Sequence, residues 1–477
     1  MTTQHFIGGE WREGTGPTIA DLNPTTGRPI ADVPIGTADE VNQAVASARR
    51  AFDGGWSRSS PAERRKALLR LAQLVADDAM ELGRIGTEDT GVPLSLTSGE
   101  AIFAAEYLEY FAGWADRLTG DVIPLNQQDA FDYTLREPLG VVAAIVPWNA
   151  PLSLTIWKLA PAIATGNTIV VKPSELAPLV PLRLMELAAK AGLPRGVVNL
   201  VHGTGAETGQ ALIEHPDVDS IAFTGGTETG RHIAATAGMR LKRVSLELGG
   251  KSANLVFADA DLDTAASQAC WACFLYNGQQ CIAGSRLLVE RSVHDDLTER
   301  VLAAAQSFAV GDPMQPATQV GPLITEGQLD RVLGFVEDAR SGATVALGGD
   351  RIGGDLGDGY FIRPTVVTGV SNDMPLAQEE VFGPVLSVIP FEDADDAIRI
   401  ANDTRYGLAG GVWTNDLSKA HRVARATRAG TVWVNSWFQL NPGTPFGGYK
   451  ASGIGREGGK EVLAHYTETK NVYVQLR

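Results

Sequence analysis

The stretch Leu139-Gly-Val-Val-Ala-Ala-Ile-Val-Pro-Trp-Asn-Ala-Pro-Leu152 opens the most regular part of the chain. Its apolar run, residues 141–146, has the length and composition of a strand that is buried on both faces. Similar runs recur at residues 168–172, 197–201, 220–224, 243–247 and 254–257. Helical stretches lie between them, for example residues 178–191, which carry one apolar stripe. This alternation predicts a doubly wound α/β fold with its binding crevice at the carboxyl ends of the strands.

A second α/β series follows residue 259. It opens at Asp261, a residue type favoured at a helix N-cap. Strand candidates then recur near residues 361–370, 384–391, 411–414 and 431–435. Helical patterns also precede the first series, near residues 38–52, 61–78 and 99–117. We therefore expect two α/β domains, in agreement with a length of 477 residues.

Two short extended stretches belong to neither series. They are residues 132–136 and residues 470–475, the second with alternating Val472 and Val474. Strands isolated in this way need pairing partners from elsewhere. We expect a neighbouring subunit to supply the partners, and therefore a homo-oligomer.

The composition is that of a globular protein, with 44% hydrophobic and 20% charged residues. A formal net charge of −16 argues against nucleic acid or an anionic membrane as a partner, because both require clustered Lys and Arg. No apolar run approaches the roughly 18 residues of a membrane span, and residues 1–12 lack an apolar signal core. Cys270 and Cys273 form a C-x-x-C that we interpret as core, and three cysteines imply no disulfide framework. We expect a cytoplasmic protein.

Two residues carry the chemistry that the sequence predicts. Cys281 lies in Tyr276-Asn-Gly-Gln-Gln-Cys-Ile-Ala-Gly284, and Glu247 lies in Leu246-Glu-Leu-Gly-Gly-Lys-Ser252. A thiolate is a good nucleophile toward a carbonyl carbon, and a carboxylate can activate water. The alternatives are a buried inert thiol and a strand-end carboxylate held in an ion pair. The seven histidines are scattered without metal-ligand spacing, so no metal site is predicted.

Polar residues also follow the first two strands of the regular series. A buried amide at Asn149 would suit an oxyanion, and the alternative is a Pro-Trp-Asn turn that caps a helix. Lys172 and Glu175 follow the second strand, where a carboxylate commonly accepts from a ribose hydroxyl and a Lys pairs with phosphate or hydroxyl. A surface loop with one basic and one acidic residue is the alternative there.

Glycine-rich turns at residues 203–209 and 223–230 each follow a strand. They expose backbone N–H groups that suit a pyrophosphate, although such turns are common in α/β proteins and the first lacks the G-x-G-x-x-G spacing. Residues 378–385 combine carboxylates with Phe382, so they could hold a ribose and pack against a flat ring. Residues 445–455 form a glycine-rich loop to which no chemistry is assigned directly.

Together these motifs resemble the NAD(P)-dependent aldehyde dehydrogenase superfamily over nearly the whole chain, from residue 23 to residue 470. The motifs that carry the resemblance are Pro147-Trp-Asn149, Lys172-Pro-Ser-Glu175, Phe223-Thr-Gly225, Glu247-Leu-Gly-Gly-Lys251, Gly278-Gln-Gln-Cys281, Glu380-Val-Phe-Gly-Pro384 and Pro445-Phe-Gly-Gly448. The resemblance implies Cys281 as nucleophile, Glu247 as general base and Asn149 as oxyanion donor. It implies oxidation of an aldehyde to a carboxylic acid through a thiohemiacetal and a thioester on Cys281.

NAD is the cofactor that the resemblance implies. Glu175 would repel a 2′-phosphate, but some relatives with Glu there use both cofactors, so NADP stays an alternative. Gly226 departs from the Ser that many relatives carry. The cofactor-binding residues that the resemblance implies are Val146, Pro147, Trp148, Lys172, Ser174, Glu175, Gly205, Gly209, Phe223, Thr224, Gly225, Gly226, Leu248, Gly249, Glu380 and Phe382.

The resemblance also implies the domain division and the assembly. Residues 1–117 and 139–247 would form the NAD-binding domain, and residues 248–445 the catalytic domain. Residues 118–138 and 463–477 would form a small β oligomerisation flap of a dimer or tetramer. The partners are then a small-molecule aldehyde and further copies of the chain, with no nucleic acid and no membrane.

The expected substrate is an aromatic or bulky apolar aldehyde, because Ala150 stands where relatives often carry an aromatic residue. The expected tunnel residues are Ala150, Leu154, Trp157, Leu440 and Phe446. The alternatives are a semialdehyde, for which no Arg pair is evident, and a coenzyme A-dependent acylating reaction, which Glu247 disfavours. A cofactor-independent cysteine esterase is the third, and it would need a His that activates Cys281.

Overall fold

The computed structural model describes residues 3–476, so residues 1, 2 and 477 of the predicted domains lie outside the described residues. The strands are β1 (His5–Ile7), β2 (Glu10–Arg12), β3 (Thr18–Asn23), β4 (Arg28–Pro34), β5 (Val122–Ile123), β6 (Ala130–Pro138), β7 (Val141–Ile145), β8 (Thr168–Lys172), β9 (Val198–Leu200), β10 (Ser220–Thr224), β11 (Arg243–Glu247), β12 (Ala253–Val256), β13 (Arg286–Glu290), β14 (Thr344–Leu347), β15 (Thr365–Thr368), β16 (Val385–Phe391), β17 (Ala409–Trp413), β18 (Thr431–Val434), β19 (Gly453–Ile454) and β20 (Thr467–Gln475).

Helices connect these strands. The α-helices are α1 (Ala38–Asp53), α2 (Pro61–Asp77), α3 (Ala79–Thr90), α4 (Leu94–Ala112), α5 (Pro151–Thr165), α6 (Leu179–Lys190), α7 (Gln210–Glu214), α8 (Thr227–Met239), α9 (Leu262–Phe274), α10 (His294–Gln306), α11 (Glu326–Ala339), α12 (Pro375–Gln378), α13 (Ala394–Asn402) and α14 (Leu417–Ala426). Within residues 3–476, none of the helices combines the length and the apolar character that crossing a membrane requires.

The first large sheet has the strand order β19-β11-β10-β7-β8-β9-β1-β2, and β11, β10, β7, β8 and β9 are mutually parallel. Both of its faces are buried. Val142 and Ala144 pack in the core formed with α2, α4, α5 and α6, whereas Val141 and Ala143 pack in the core formed with α1, α7 and α8. Burial on both faces explains why these strands are continuous apolar runs. The predicted doubly wound fold is therefore confirmed.

The second large sheet has the order β14-β15-β16-β13-β12-β17-β18. Its neighbours are parallel except β14 and β15. The predicted cap of α9 is present, because an Asp261 carboxylate oxygen accepts from the Thr264 backbone N–H at 3.2 Å. The strand predicted near residues 361–370 is shorter, since Ile362 forms an isolated bridge with Arg351 before β15 begins.

The two extended stretches pair with each other, so the prediction that they lack partners within the chain is wrong. Strand β20 pairs antiparallel with β6 over nine residue pairs, from Thr467 with Pro138 to Gln475 with Ala130. Strand β5 pairs with the other edge of β6. This pairing could not be predicted from the sequence, because more than 300 residues separate the two strands and no local pattern indicates so distant a partner.

Helix α4 occupies residues 94–112, whereas the sequence predicted residues 99–117. The helix was expected to begin near Gly99, although glycine has a low helix propensity. In the structure Gly99 lies inside α4, and α4 packs against α2, α3 and α5. Tertiary packing therefore outweighs the local propensity. The helix ends where the Gly113 backbone N–H donates to the Glu109 carbonyl at 3.2 Å.

Arg286, on the central strand β13, is 1% exposed and ties the second sheet to its surrounding loops and helices. Its Nε donates to the Lys251 carbonyl at 3.1 Å. Its terminal nitrogens donate to Asn372 Oδ1, to the Ile400 carbonyl and to the Ala401 carbonyl at 2.8–3.0 Å. A buried cation with this many acceptors is costly to remove, because buried acceptors lose a charged donor.

We predict that Arg286→Met lowers the free energy of unfolding by about 2–4 kcal/mol, since buried carbonyls lose their donor. The matched control is Arg291→Met, whose arginine pairs with Glu392 at the surface. That change should cost less than about 1 kcal/mol, as exposed ion pairs contribute little. Urea unfolding of the two variants measures both values, and equal losses would contradict the role assigned to Arg286.

Candidate active site

The parallel strands of the first sheet end at one edge, and the predicted motifs lie there. The register pairs Ile145 on β7 with Lys172 on β8, and Thr224 on β10 with Glu247 on β11. Strands that share a direction place their carboxyl ends together, so the loops that follow them meet. The loop that starts at Val146 is tied to this edge, because the Val146 backbone N–H donates to the Lys172 carbonyl at 3.1 Å.

The loop before Cys281 has a strained backbone. Tyr276, Asn277 and Gly278 have φ values of +52°, +61° and +72°, and a left-handed conformation is costly for the two non-glycine residues. The Asn277 side chain holds it in place. Its amide donates to the Gly91 carbonyl at 3.0 Å and to the Pro322 carbonyl at 2.8 Å. The loop is therefore fixed by packing against distant segments.

Asn149 is held against this loop. Its Nδ2 donates to the Gln279 carbonyl at 2.9 Å, and Asn149 is 6% exposed. An amide nitrogen carries two hydrogens, so one remains for another acceptor. The alternative of a helix cap does not hold for Asn149, because the N-cap of α5 is Ala150 and the Asn149 amide donates to Gln279 instead.

Glu247 is 3% exposed, and within residues 3–476 neither of its carboxylate oxygens has a hydrogen-bond partner. The strand-end ion pair considered from the sequence is therefore not formed in the described part of the chain. Burial raises the pKa of Glu247 well above the usual range of a glutamate. The neighbouring Glu457 raises that pKa further, while Lys158 and Arg456 lower it. A carboxylate with a raised pKa is a stronger base.

The glycine-rich loop at residues 445–455 closes over Glu247. A Cβ at Gly447 would lie 2.6 Å from Glu247 Oε1, and Gly447 has a φ of +149°. Both facts require glycine at this position. The loop to which the sequence assigned no chemistry thus forms one wall of the pocket around the buried carboxyl.

The sequence missed a buried ion pair beside Glu247. Lys158 Nζ donates to Glu457 Oε1 at 2.7 Å and to Thr224 Oγ1 at 2.7 Å. The Lys158 and Glu457 side chains are 0% and 3% exposed. One signal was available, because Lys158 is the one charged residue in the otherwise apolar helix α5. Glu457 gave none, since it lies 299 residues away along the chain.

Two cavities meet at Cys281. One has a volume of about 350 Å³ and the other about 510 Å³. Cys281, Glu247 and Asn149 line both of them. A carbon atom bonded to the Cys281 sulfur could therefore be approached from two sides.

The smaller cavity is mostly apolar. The five predicted tunnel residues all line it: Ala150, Leu154, Trp157, Leu440 and Phe446. Three more aromatic rings line it: Phe438, which was expected near the tunnel entrance, and Phe103 and Tyr276, which were not predicted. The charged residue Glu100 also lines this cavity, and the sequence missed it because a glutamate on a helix is normally solvated. The assignment of these residues to a substrate tunnel stays a prediction.

The larger cavity is a polar cleft at the carboxyl edge of the first sheet. Nine of the predicted cofactor-binding residues line it: Pro147, Trp148, Thr224, Gly225, Gly226, Leu248, Gly249, Glu380 and Phe382. The other seven do not line it: Val146, Lys172, Ser174, Glu175, Gly205, Gly209 and Phe223. Gly226 is the N-cap of α8 and supplies no side chain, so first-turn N–H groups of this helix are available to a phosphate.

Glu380 and Phe382 form the far wall of the cleft. Glu380 Oε1 accepts from the Gly250 backbone N–H at 2.8 Å. Burial raises the pKa of Glu380 to about 7, against the lowering effect of that hydrogen bond. The rings of Trp148 and Phe382 meet edge-on at 5.3 Å. A carboxylate and flat rings on one wall suit a ribose with an attached aromatic ring.

Lys172 lies beyond the cleft at the adjacent strand end. Its Nζ donates to the Pro173 carbonyl at 2.7 Å and to Glu175 Oε2 at 3.3 Å. A Cβ at Gly209 would lie 3.8 Å from Lys172 Cδ, so the glycine turn is beside this pair. The Ser174 hydroxyl instead accepts from the Leu176 backbone N–H at 3.2 Å, a local turn bond. Contacts of these residues with a cofactor stay a prediction.

The fold and the gathered side chains define a class of two-domain α/β proteins with a cysteine between an apolar cavity and a polar cleft. The chain belongs to the aldehyde dehydrogenase family, because the model of the "Aldehyde dehydrogenase family" matches residues 11–472. The family prediction made from the motifs is confirmed. The class of enzyme is therefore an NAD(P)-dependent oxidoreductase that acts on aldehydes.

Individual relatives agree over nearly the full length. A crystal structure of a putative aldehyde dehydrogenase from Burkholderia cenocepacia is 47% identical, with a TM-score of 0.97 over 100% of this chain and 98% of that one. An indole-3-acetaldehyde dehydrogenase mutant from P. syringae, in complex with NAD+, is 44% identical, with a TM-score of 0.97 over 99% and 96%. Betaine aldehyde dehydrogenase from Vibrio vulnificus is 44% identical over 99% of this chain and 98% of its own length.

Cysteine reactivity tests the geometry directly. Cys270 and Cys273 are fully buried in the core, as predicted, whereas Cys281 is partly exposed and lines both cavities. We predict that one thiol per chain reacts with iodoacetamide in the native protein. Burial, followed by the charges of Glu380 and Glu247, raises the pKa of Cys281, so the rate should keep increasing with pH beyond about 8.5.

Mass spectrometry of the labelled chain identifies the modified residue. Cys281→Ala should abolish the labelling, and Cys270→Ala should leave it unchanged. Modification of Cys270 or Cys273 at a comparable rate would contradict the burial found for these two residues.

Proposed function

We propose that this chain oxidises an aldehyde to a carboxylic acid through a thioester on Cys281, with NAD as the cofactor. The observation that carries the proposal is the meeting of an apolar cavity and a polar cleft at Cys281, with Glu247 and Asn149 lining both. An aldehyde would enter by one cavity, and a nicotinamide would occupy the other. Two relatives support this assignment of the two cavities: one was crystallised with NAD+, and the other is named for an aldehyde substrate.

The first step is attack of the Cys281 sulfur on the aldehyde carbon. Burial holds the pKa of Cys281 above its ordinary value, and Cys281 is partly exposed, so its proton passes to solvent before the sulfur attacks. The carbonyl oxygen gains a negative charge as the S–C bond forms. The remaining N–H of Asn149 and the Cys281 backbone N–H would donate to that oxygen, which lowers the energy of the tetrahedral state.

Bound NAD supplies a hydride acceptor at its nicotinamide ring. The Cys281 adduct thereby becomes a thioester, and Glu247 then accepts a proton from the water that attacks it. The S–C bond breaks, the acid leaves, and the thiol is restored. A buried carboxyl without a partner suits this step, because its raised pKa makes it a base toward water.

Three alternative functions are less well supported. A semialdehyde would carry a carboxylate besides its aldehyde group, and within residues 3–476 neither Arg nor Lys lines the apolar cavity. An acylating reaction needs coenzyme A in place of water, and it would leave Glu247 without a function. A cysteine esterase would need a His beside Cys281, and no His among the described residues lines either cavity.

The residues that line the smaller cavity indicate the class of substrate. Ten of the side chains that line the smaller cavity are aromatic rings or branched aliphatic chains, and Ala150 leaves space near Asn149. We therefore propose an aromatic or bulky apolar aldehyde.

Glu175 beside Lys172 supports NAD over NADP, because a carboxylate at the ribose would repel a phosphate. A cytoplasmic homodimer or homotetramer, the three-part domain division and the role of residues 118–138 and 463–477 as an oligomerisation flap complete the proposal.

The test separates oxidation from hydrolysis. We predict that Glu247→Gln still reduces about one nicotinamide per active site in a rapid burst, because attack and hydride transfer precede the water step. Steady turnover should fall by about a hundredfold or more, since general base catalysis typically contributes that factor. Stopped-flow absorbance with an aromatic aldehyde, and NAD or NADP, measures both phases.

Cys281→Ala is the matched control and should show neither burst nor turnover. If Cys281→Ala still turned over, the covalent route would be wrong. If turnover of the unmodified protein required added coenzyme A, the acylating alternative would replace hydrolysis.

The pH dependence of turnover reports on Glu247. Because the ionised form is the base and burial raises the pKa of Glu247, the rate should increase with pH above the usual range of a carboxylate. Glu457→Gln removes a neighbouring negative charge and frees Lys158 from its ion pair. Both effects favour ionised Glu247, so the rising part of the profile should move to lower pH.

A profile of kcat against pH for hydrolysis-limited turnover measures this shift. Glu461→Gln, at an exposed residue four positions further along the chain, is the control and should leave the profile in place. A shift to higher pH in Glu457→Gln would contradict the electrostatic coupling between the two carboxyls.

A further inference from the structure

Glu100 is the one acidic residue besides Glu247 that lines the apolar cavity. It lies on α4 and is 8% exposed, so nine-tenths of it is removed from solvent. Burial raises the pKa of Glu100 to about 7, against the lowering effect of hydrogen bonds from Ser153. Burying a carboxyl costs free energy unless a partner compensates it.

One of the two oxygens of this carboxyl has a structural role. Glu100 Oε1 accepts from the Ser153 backbone N–H at 2.8 Å. Ser153 is in the first turn of α5, and the N-cap residue Ala150 cannot satisfy that turn with its side chain. Glu100 therefore caps α5 from a neighbouring helix. An amide oxygen could do the same, so capping alone does not require a carboxylate.

The second oxygen, Oε2, keeps acceptor capacity for a ligand, because a carboxylate oxygen can accept more than one hydrogen bond. The Ser153 hydroxyl lies beside the carboxyl, and no other residue within 3–476 donates a hydrogen bond to Glu100. The Tyr276 side chain is close enough for the charge of Glu100 to raise the pKa of its hydroxyl, after burial itself. Glu100, Ser153 and Tyr276 thus form a polar corner in a cavity that otherwise presents hydrocarbon.

Aromatic rings surround this corner. Phe103, Trp157, Phe438 and Phe446 line the same cavity. Trp157 meets Phe446 edge-on at 5.1 Å and Phe103 at 6.4 Å, so the rings form a continuous wall. Ring faces attract cations, and a buried carboxylate forms stronger hydrogen bonds to a charged donor than to a neutral one. The surroundings of Glu100 therefore favour a cationic donor.

We propose that Glu100 determines substrate specificity by binding a hydrogen-bond donor, above all a protonated amine, on the tail of the aldehyde. This inference rests on the proposed oxidation at Cys281 and changes its substrate class from a wholly apolar aldehyde to an aromatic aldehyde whose tail carries a donor. The aldehyde group reaches Cys281, the body of the substrate packs against the rings, and the amine pairs with Oε2. A hydrocarbon tail of the same shape would leave the carboxyl unpaired, which disfavours its binding.

Two matched aldehydes test the proposal. The amine is para-(dimethylaminomethyl)benzaldehyde, and its hydrocarbon counterpart of the same shape is para-isobutylbenzaldehyde. The unmodified protein should favour the amine in kcat/KM by roughly tenfold to a hundredfold, the range expected for a hydrogen bond to a charged group. A cavity without the proposed function would favour the hydrocarbon instead, because a cation loses hydration when it enters an apolar space.

The variant Glu100→Gln retains an oxygen that can accept from Ser153 and loses the charge. We expect the ratio of the two kcat/KM values to fall by about tenfold or more, mainly through a higher KM for the amine. Glu106→Gln is the matched control, because Glu106 is an exposed residue on the same helix. It should leave the ratio unchanged.

The outcomes separate the two proposals. If Glu100→Gln lowers kcat/KM equally for both aldehydes, Glu100 only caps α5 and the inference is wrong. If the unmodified protein prefers the hydrocarbon, the inference is also wrong, while oxidation through Cys281 stands. The neutral donor para-(hydroxymethyl)benzaldehyde, compared with para-ethylbenzaldehyde, shows whether charge or hydrogen bonding alone drives the preference. If neither amine nor hydrocarbon is oxidised, the proposed function itself fails.

Discussion

A carboxyl that is buried without a hydrogen-bond partner is the constraint on which the rest of the site depends. An unpaired buried polar group costs about 1–3 kcal/mol, and a charge costs more, so the surrounding packing must compensate for Glu247. The glycine at position 447 leaves just enough room for its Oε1, and the buried pair of Lys158 and Glu457 sets its electrostatic surroundings. Burying Glu247 without a partner lowers the stability of the folded protein, and it also raises the pKa of this proposed base.

The two sheets determine where that base can act. Glu247 ends a strand of the first sheet, whereas Cys281 lies on a loop that leads from α9 into the central strand of the second. The left-handed residues before Cys281, held by Asn277, carry the thiol toward the carboxyl edge of the first sheet. The same edge presents Asn149, which Gln279 secures from the Cys281 side. The proposed nucleophile, base and oxyanion donor thus come from separate elements that converge at one point.

Local patterns predicted most of the strands and much of the site. Residues 168–172, 220–224 and 243–247 were predicted as strands and are β8, β10 and β11, because burial on both faces demands continuous apolar runs. The errors have physical causes. The start of α4 was placed five residues too late, because packing against three helices extends it over residues 94–98, where Ser and Thr have low helix propensity. The partners of residues 132–136 and 470–475 were misassigned because their pairing spans most of the chain.

The sequence by itself determined the family, the α/β class, and the positions of Cys281, Glu247 and Asn149, because these depend on residue types at short spacings. Only the tertiary structure decided which residues share a cavity. It brings Glu457 to Lys158, Gly447 to Glu247 and Glu100 to the first turn of α5. Each of these contacts joins segments far apart along the chain, and their closeness follows from how two sheets and their helices pack. No local periodicity encodes that arrangement.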